Sequence, residues 1–313
     1  MPSGELRSKI AFVTAISNPA RFRRRYELYH KFAHHIRHEL KQKLVTVECQ
    51  LGSRPFFITN PTDPHHVQVR SDSELWQKEN LLNIAISRLP REIEYICWLD
   101  ADIQFLEPDV VNETIHALQH HPIVQMFQTC IDLGPKGEVM KVHTSFGWCH
   151  KSSQPFSQAK GQYPGDGFAH PGFAWAARRD FLDTTSGLFD MGVAGAGDHH
   201  MALACVGRVE DSVPHDIGEG YLRALLQWQD RAAEAAQGSL GYVKGTIIHH
   251  YHGAKRNRQY QSRWKILTAN GFDPHRDIAK NAQGVWELVK GKAGLRDALT
   301  NYMASRNEDS IDT

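Results

Sequence analysis

Short blocks of uninterrupted apolar residues alternate along this chain with longer amphipathic stretches, and that rhythm predicts an α/β layout. Lys9 to Ile16 and Leu44 to Cys49 read as buried strands, with Phe56 to Thr59 and Val67 to Arg70 as shorter ones. Ser17-Asn18-Pro19 breaks the first strand, and Arg21 to about Gln42 reads as a helix. Glu74 to Leu89 is a second helix, with Leu75, Leu82, Ile86 and Leu89 on one stripe and Pro90 as its stop. Tyr95-Ile96-Cys97-Trp98-Leu99 is then a fully apolar strand. The order β-α-β-β-α-β predicts a sheet with parallel strands flanked by helices.

Pro108 to His120 reads as a helix and Ile123 to Cys130 as a strand. Gly134 to Gly167 is turn-rich and aromatic, which predicts a mobile or substrate-lining segment. His170 to Leu182 reads as a turn, a strand and a helix start, and a run of small residues from Gly192 to Gly197 precedes a helix opening at Asp198. Tyr242 to His252 is the last expected strand. Beyond Asn257 the chain is charged and reads as helical, anchored by Trp264 and Trp286, with disorder expected from about Asn307.

A chain of 313 residues, 41% hydrophobic and 23% charged, has the balance of a soluble globular protein. No stretch approaches the roughly 20 apolar residues of a membrane span, and Ile10 to Ile16 reads as a strand rather than a signal peptide. Cys49, Cys97, Cys130, Cys149 and Cys205 are scattered without metal spacing, which predicts a reduced, cytoplasmic protein. A net charge of +1 argues against one large polyanion-binding surface.

The chemistry concentrates where the apolar strand runs into Asp100-Ala101-Asp102. In extended chain these carboxylates project from one face, at the strand end where parallel sheets bind ligands. Two acids there repel each other unless a cation compensates them, and Mn or Mg carrying a phosphate suits their hard oxygens. Taken alone, an Asp-x-Asp is equally a polar turn, Asp198 equally an N-cap, and Arg21 to Arg25 a solvated helix face. His249-His250-Tyr251-His252, followed by Lys255, Arg256 and Arg258, is harder to read as core. Strand alternation places His250 and His252 on one side and His249 on the other.

Three blocks over residues 10 to 255 together resemble a metal-dependent glycosyltransferase of the GT-A fold, nearest to the β-1,4-galactosyltransferase catalytic domain. Lys78 to Ala85 with Ile96 to Asp102 is similar to that family's Arg-Ala-Lys-Leu-Leu-Asn-Val-Gly helix and Asp-x-Asp strand. Pro171-Gly172 to Arg178, Gly187-Leu188-Phe189 and Gly195-Ala196-Gly197-Asp198 resemble its Gly-Gly strand, Gly-Phe turn and Trp-Gly-Gly-Glu-Asp motif. One acid of that motif and its tryptophan are absent. The His250/His252 strand end resembles the late metal-binding histidine.

The resemblance implies a GT-A, Rossmann-like mixed sheet with a helical C-terminal extension. Residues 1–253 would be the catalytic domain, divided near 105 into nucleotide-sugar and acceptor halves, with 254–313 packed on it. Asp102 and His250 or His252 would hold Mn or Mg. Asp100, Lys78, Lys255, Arg256 and Arg258 would meet the donor, a nucleotide diphosphate sugar and foremost a UDP-sugar. Thr14, Ala15, Ile16 and Arg21 would meet its base or phosphate. Asp198 would be the general base of an inverting transfer to a saccharide hydroxyl or to a 5-hydroxymethylpyrimidine in phage DNA. The DNA acceptor follows from a likeness of the His250 to Arg263 tail to virus-encoded glycosyltransferases. A nucleotidyltransferase or hydrolase using the same acids is the competing reading, and a non-catalytic sugar-nucleotide binding module another.

Overall fold

The structure is a computed structural model that describes residues 4–154 and 169–311. Its first half builds as the apolar pattern predicts. A short helix α1 (Gly4–Ser8) leads into β1 (Ile10–Ser17), α2 (Arg23–His34), β2 (Leu44–Leu51), β3 (His66–Ser71), α3 (Lys78–Ser87) and β4 (Tyr95–Leu99). Strands β3, β2, β1 and β4 lie side by side in that order, all parallel. Every residue of β4 is buried, as expected of a strand covered on both faces. Phe56 to Thr59 is not a strand. The N–H groups of Phe57, Ile58 and Thr59 donate instead to the carboxylate of Glu48, at 2.7, 3.0 and 2.8 Å. A buried side chain thus takes the place of a ladder neighbour.

The second half adds one reversed strand to this sheet and builds a second sheet. It runs β5 (Ile103–Phe105), α4 (Val110–His120), β6 (Ile123–Gln125), β7 (Thr129–Leu133), β8 (Val139–Ser145) and α5 (Phe146–Lys151). After these come β9 (Ala169–His170), β10 (Ala174–Arg178), α6 (Arg179–Thr185), α7 (Gly197–Ala204), α8 (Glu219–Ala236), β11 (Leu240–Tyr242) and β12 (Thr246–His249). Strand β10 enters antiparallel beside β4, and β6 and β11 complete a seven-stranded mixed sheet in the order β11-β6-β10-β4-β1-β2-β3. A second sheet has the order β5-β12-β7-β8-β9. The strand expected over Ile123 to Cys130 is therefore two strands in different sheets. The crossing is fixed by Gly245, whose carbonyl accepts from both Gln128 and Thr129 N–H.

Apolar clusters fill both faces of the large sheet, one against α3, α7 and α8, the other against α2 and α4. The result is the expected mixed α/β architecture. The C-terminal region departs from an all-helical extension: α9 (Trp264–Ala269) and α10 (Pro274–Asp277) are followed by a hairpin of β13 (Ile278–Lys280) and β14 (Trp286–Leu288), then α11 (Ala293–Ser305). Trp264 is buried and Trp286 half-buried. Disorder from Asn307 is overturned through residue 311. Glu308 is 1% exposed and ion-paired to Arg25 and Arg306. Asp309 accepts from the Arg23 and Arg24 N–H groups at 2.9 and 2.8 Å, capping α2 from the far end of the chain. Within the turn-rich segment expected over Gly134 to Gly167, β8 and α5 are ordered elements, and residues 155–168 lie outside the described residues.

Among the described residues no helix is long and apolar enough to cross a membrane. All five cysteines are free and buried. Removing the Glu48 carboxylate strands three backbone donors, so Glu48→Ala is expected to destabilise the fold by about 3 kcal/mol or more in urea denaturation at pH 7. A loss below about 1 kcal/mol would show that the Phe57 loop finds other acceptors.

Candidate active site

A cavity of about 410 Å³ opens where β1 and β4 end, between the starts of α3 and α7 and the end of β12. This is the C-terminal edge of the parallel strands, the expected ligand side of such a sheet. Ala15 and Ile16 line it, as do Lys78, Asp100, Asp102, Asp198, His252, Lys255 and Arg258. Thr14 does not. It is fully buried, and its hydroxyl donates to the Leu99 carbonyl, tying β1 to β4. Arg21 and Arg256 are exposed and off the cavity wall, whereas Arg25, in the first turn of α2, reaches it.

The strand β4 ends at Leu99, so Asp100 and Asp102 sit on a turn and serve different partners. Lys78, the first residue of α3, bridges the two halves of the site: its Nζ lies 2.9 Å from Asp100 Oδ1 and 2.7 Å from Asp198 Oδ2. Burial works against its charge, but Asp100, Asp198 and Glu79 hold its pKa well above the ordinary lysine value. Asp198 stands in the first turn of α7. Burial, reinforced by Asp100, raises its pKa while Lys78 pulls it down, and the rise wins. The small residues ahead of it serve internal packing. A Cβ on Gly197 would fall 2.4 Å from the Glu79 carboxyl, and one on Gly195, whose φ is +92°, 3.0 Å from Arg263.

On the other side, Asp102, His249 and His252 present ligand atoms that all lie within 4.8 Å of one another. His252 Nε2 is 3.0 Å from Asp102 Oδ2, and His249 Nε2 is 3.7 Å from Oδ1. His250, expected in this group, is not in it; His249 is. Alternation fails because the ladder stops: Ile103 pairs with His249, the His250 N–H then donates to the Asp102 carbonyl, and the chain turns to bring His252 back beside His249. Burial opposes the Asp102 carboxylate, yet His252 and His249 hold its pKa below the ordinary range.

Further groups in the cavity carried no local sequence signal. Asp132 of β7 is 2% exposed, with Oδ1 2.6 Å from His249 Nδ1 and Oδ2 2.6 Å from His143 Nε2. Lys255, expected on the donor, is ion-paired to Asp132. A cationic wall comes from the C-terminal region. The Arg263 and Arg306 guanidiniums lie 3.5 and 3.4 Å from Tyr302 Oη, and Arg306 lies 4.9 Å from the Trp76 ring centre. Arg258 Nη2 is 2.7 Å from His252 Nε2. Its charge and the Glu308 carboxylate, gripped by Arg25 and Arg306, close that end of the cavity.

No protein-family model matches this chain, and no curated protein does. Solved structures are similar at low identity. The catalytic domain of Drosophila β-1,4-galactosyltransferase 7, solved with xylobiose, is 12% identical with a TM-score of 0.40, over 93% of this chain and 98% of that one. Residues 1–349 of Staphylococcus aureus TarS are 10% identical with a TM-score of 0.39, over 84% of this chain and 65% of that one. Scores at this level assign no family.

Glu79 is the buried acid that the site leaves over: 3% exposed, with Oε1 lacking a hydrogen-bond partner among the described residues. Burial lifts its pKa from an ordinary 4.5 to about 7, with Lys78 opposing. Between those values the folded chain keeps a proton that the unfolded chain has released, so this group's stabilising contribution falls as pH rises. Glu79→Gln is expected to flatten the decline in stability between pH ~4.5 and ~7. An unchanged slope in denaturation series across that window would place the proton elsewhere.

Proposed function

We propose that this cavity binds a nucleoside diphosphate sugar, foremost a UDP-sugar, with Mn or Mg, and transfers the sugar with inversion to a saccharide hydroxyl. One observation carries the reading: the acidic strand end, Asp198 and the late histidine pair, far apart in sequence, line a single cavity. The layout of β3-β2-β1-β4 with β10 antiparallel at its side agrees with the GT-A resemblance. A cation fits the residues present. Asp102 Oδ1 is buried without a hydrogen-bond partner among the described residues, beside two imidazoles, and that donor set suits a divalent ion.

Asp102, His249 and His252 would hold the ion, which supplies Lewis-acid charge where the diphosphate leaves. Asp198 accepts the proton of the acceptor hydroxyl. As that oxygen bonds to the sugar's anomeric carbon, the bond to the diphosphate breaks and its electron pair leaves with the nucleoside diphosphate. The raised pKa of Asp198 makes it the stronger base, and Lys78 holds it in place against Asp100. Arg258 must give up its contact with His252 for that imidazole to ligate, and its charge is then available to the diphosphate. Trp76 and Tyr260 also line the cavity, each with a guanidinium over its ring, Arg306 and Arg263.

A DNA base as acceptor draws less support. Three members of the basic clusters meant to hold phosphates are ion-paired within the chain, Arg23 with Glu27, Arg25 with Glu308 and Lys255 with Asp132, while Arg21 and Arg256 are exposed.

Incubation with a panel of nucleotide sugars and Mn²⁺, reading released nucleoside diphosphate and glycosylated product, tests the proposal. Chelation of divalent ions should abolish turnover. Asp102→Asn should lower it by about 10²-fold or more. Asp198→Asn should retain nucleotide binding and lose transfer by about 10²–10⁴-fold. Wild-type rates in both variants would defeat the assignment.

A further inference from the structure

The cation site has a support that the proposed transfer does not itself require. We infer that Asp132 is a positioning residue that orients His249 so that its Nε2 faces the cation site; this rests on the metal reading above. Three observations converge on it. Strands β7 and β12 are parallel and in register, so that Asp132 pairs directly with His249 across the ladder. Asp132 Oδ1 lies 2.6 Å from His249 Nδ1, while the opposite ring nitrogen faces Asp102 and lies 3.2 Å from His252 Nε2. The second oxygen of Asp132 is taken by His143 at 2.6 Å and by the Lys255 ammonium, so the carboxylate is gripped on both sides and 2% exposed.

The chemistry follows from the donor inventory. A carboxylate paired with an ammonium is ionised and only accepts hydrogen bonds. His249 Nδ1 must then carry the hydrogen, which leaves the Nε2 lone pair as the ring's only ligand atom. A carboxylate behind a ligating imidazole also raises its basicity and stops the ring from flipping. Asp132 is paired on both sides, with His249 of β12 and with Lys141 of β8, the β8 ladder shifting register just beyond it. Phe173 packs against the same ring at a centroid distance of 4.6 Å, and its backbone φ of +80° is one that a non-glycine residue rarely adopts.

Binding of Mn²⁺ alone to the full chain, followed by the electron paramagnetic resonance of free Mn²⁺, separates positioning from simple structural support. Asp132→Ala is expected to weaken Mn²⁺ binding toward 100-fold and Asp132→Asn about tenfold. In a His249→Ala background the same changes should cost less than about twofold, because the residue acts only through that ring. Equal losses with and without His249, or wild-type affinity in both Asp132 variants, would overturn the inference. Circular dichroism checks the fold, and if Asp132→Ala does not fold the Asn series decides alone. A wild-type chain that binds no Mn²⁺ would remove the metal reading and this inference with it. Wild-type binding with indifferent Asp132 variants would remove only the inference.

Discussion

Carboxylates gathered into one cavity must each find a cation or a hydrogen-bond donor, and that requirement shapes the whole molecule. Asp100 and Asp198 share Lys78, Asp102 faces two imidazoles, Asp132 is held by Lys255 and His143, and Glu308 by Arg25 and Arg306. An uncompensated carboxylate in such a place would take up a proton or exclude itself from the fold. The partners come from different parts of the chain, so neutralising the cavity also draws those parts together. Binding a divalent ion and an anionic donor would rearrange an existing balance rather than create one.

Helix α3 is where the balance is distributed. Successive residues at its start point in different directions: Gln77 donates to the Trp286 carbonyl, Lys78 enters the cavity, Glu79 packs against Gly197, and Asn80 accepts from Trp286 N–H and donates to the Gly284 carbonyl. A turn later, Asn83 bonds both the N–H and the carbonyl of Leu188. One short helix thus aligns the acidic strand end, the loop leading to Asp198 and the C-terminal hairpin. A shift of this helix would move the contact partner of both Asp100 and Asp198.

The C-terminal residues are part of the site. Asp309 caps α2, Glu308 joins the Arg25–Arg306 pair beside His252, and Arg258, Arg263 and Arg306 wall the cavity. The seven-stranded sheet supplies one side of the cavity through Ala15, Ile16 and Leu99, and the second sheet another through Asp132, His143 and His249. Gly245 fixes the point where the chain crosses between sheets, since its carbonyl takes two N–H groups at the start of β7. That anchor sets the register that places Asp132 opposite His249.

Local pattern alone determined the elements whose signal is strong and repeated: β1, β2 and β4 as buried apolar runs, the body of α3 from its stripe, and the acids at the end of β4 as candidates for a cation. It also marked Asp198 behind its small-residue run and His252 within the histidine cluster, whereas Lys78, set among other polar residues, was pointed to by the family resemblance alone. Tertiary structure decided the rest. Alternation assigns faces only while a ladder continues, so the choice of His249 over His250 depended on where β12 ends. Phe56 to Thr59 had the composition of a strand, but Glu48 offered its N–H groups a nearer acceptor. Arg25 and Glu308 stand 283 positions apart, and nothing in either neighbourhood marks them as partners. An ion pair leaves no periodicity in sequence; it exists only once the fold brings the charges into one low-dielectric space.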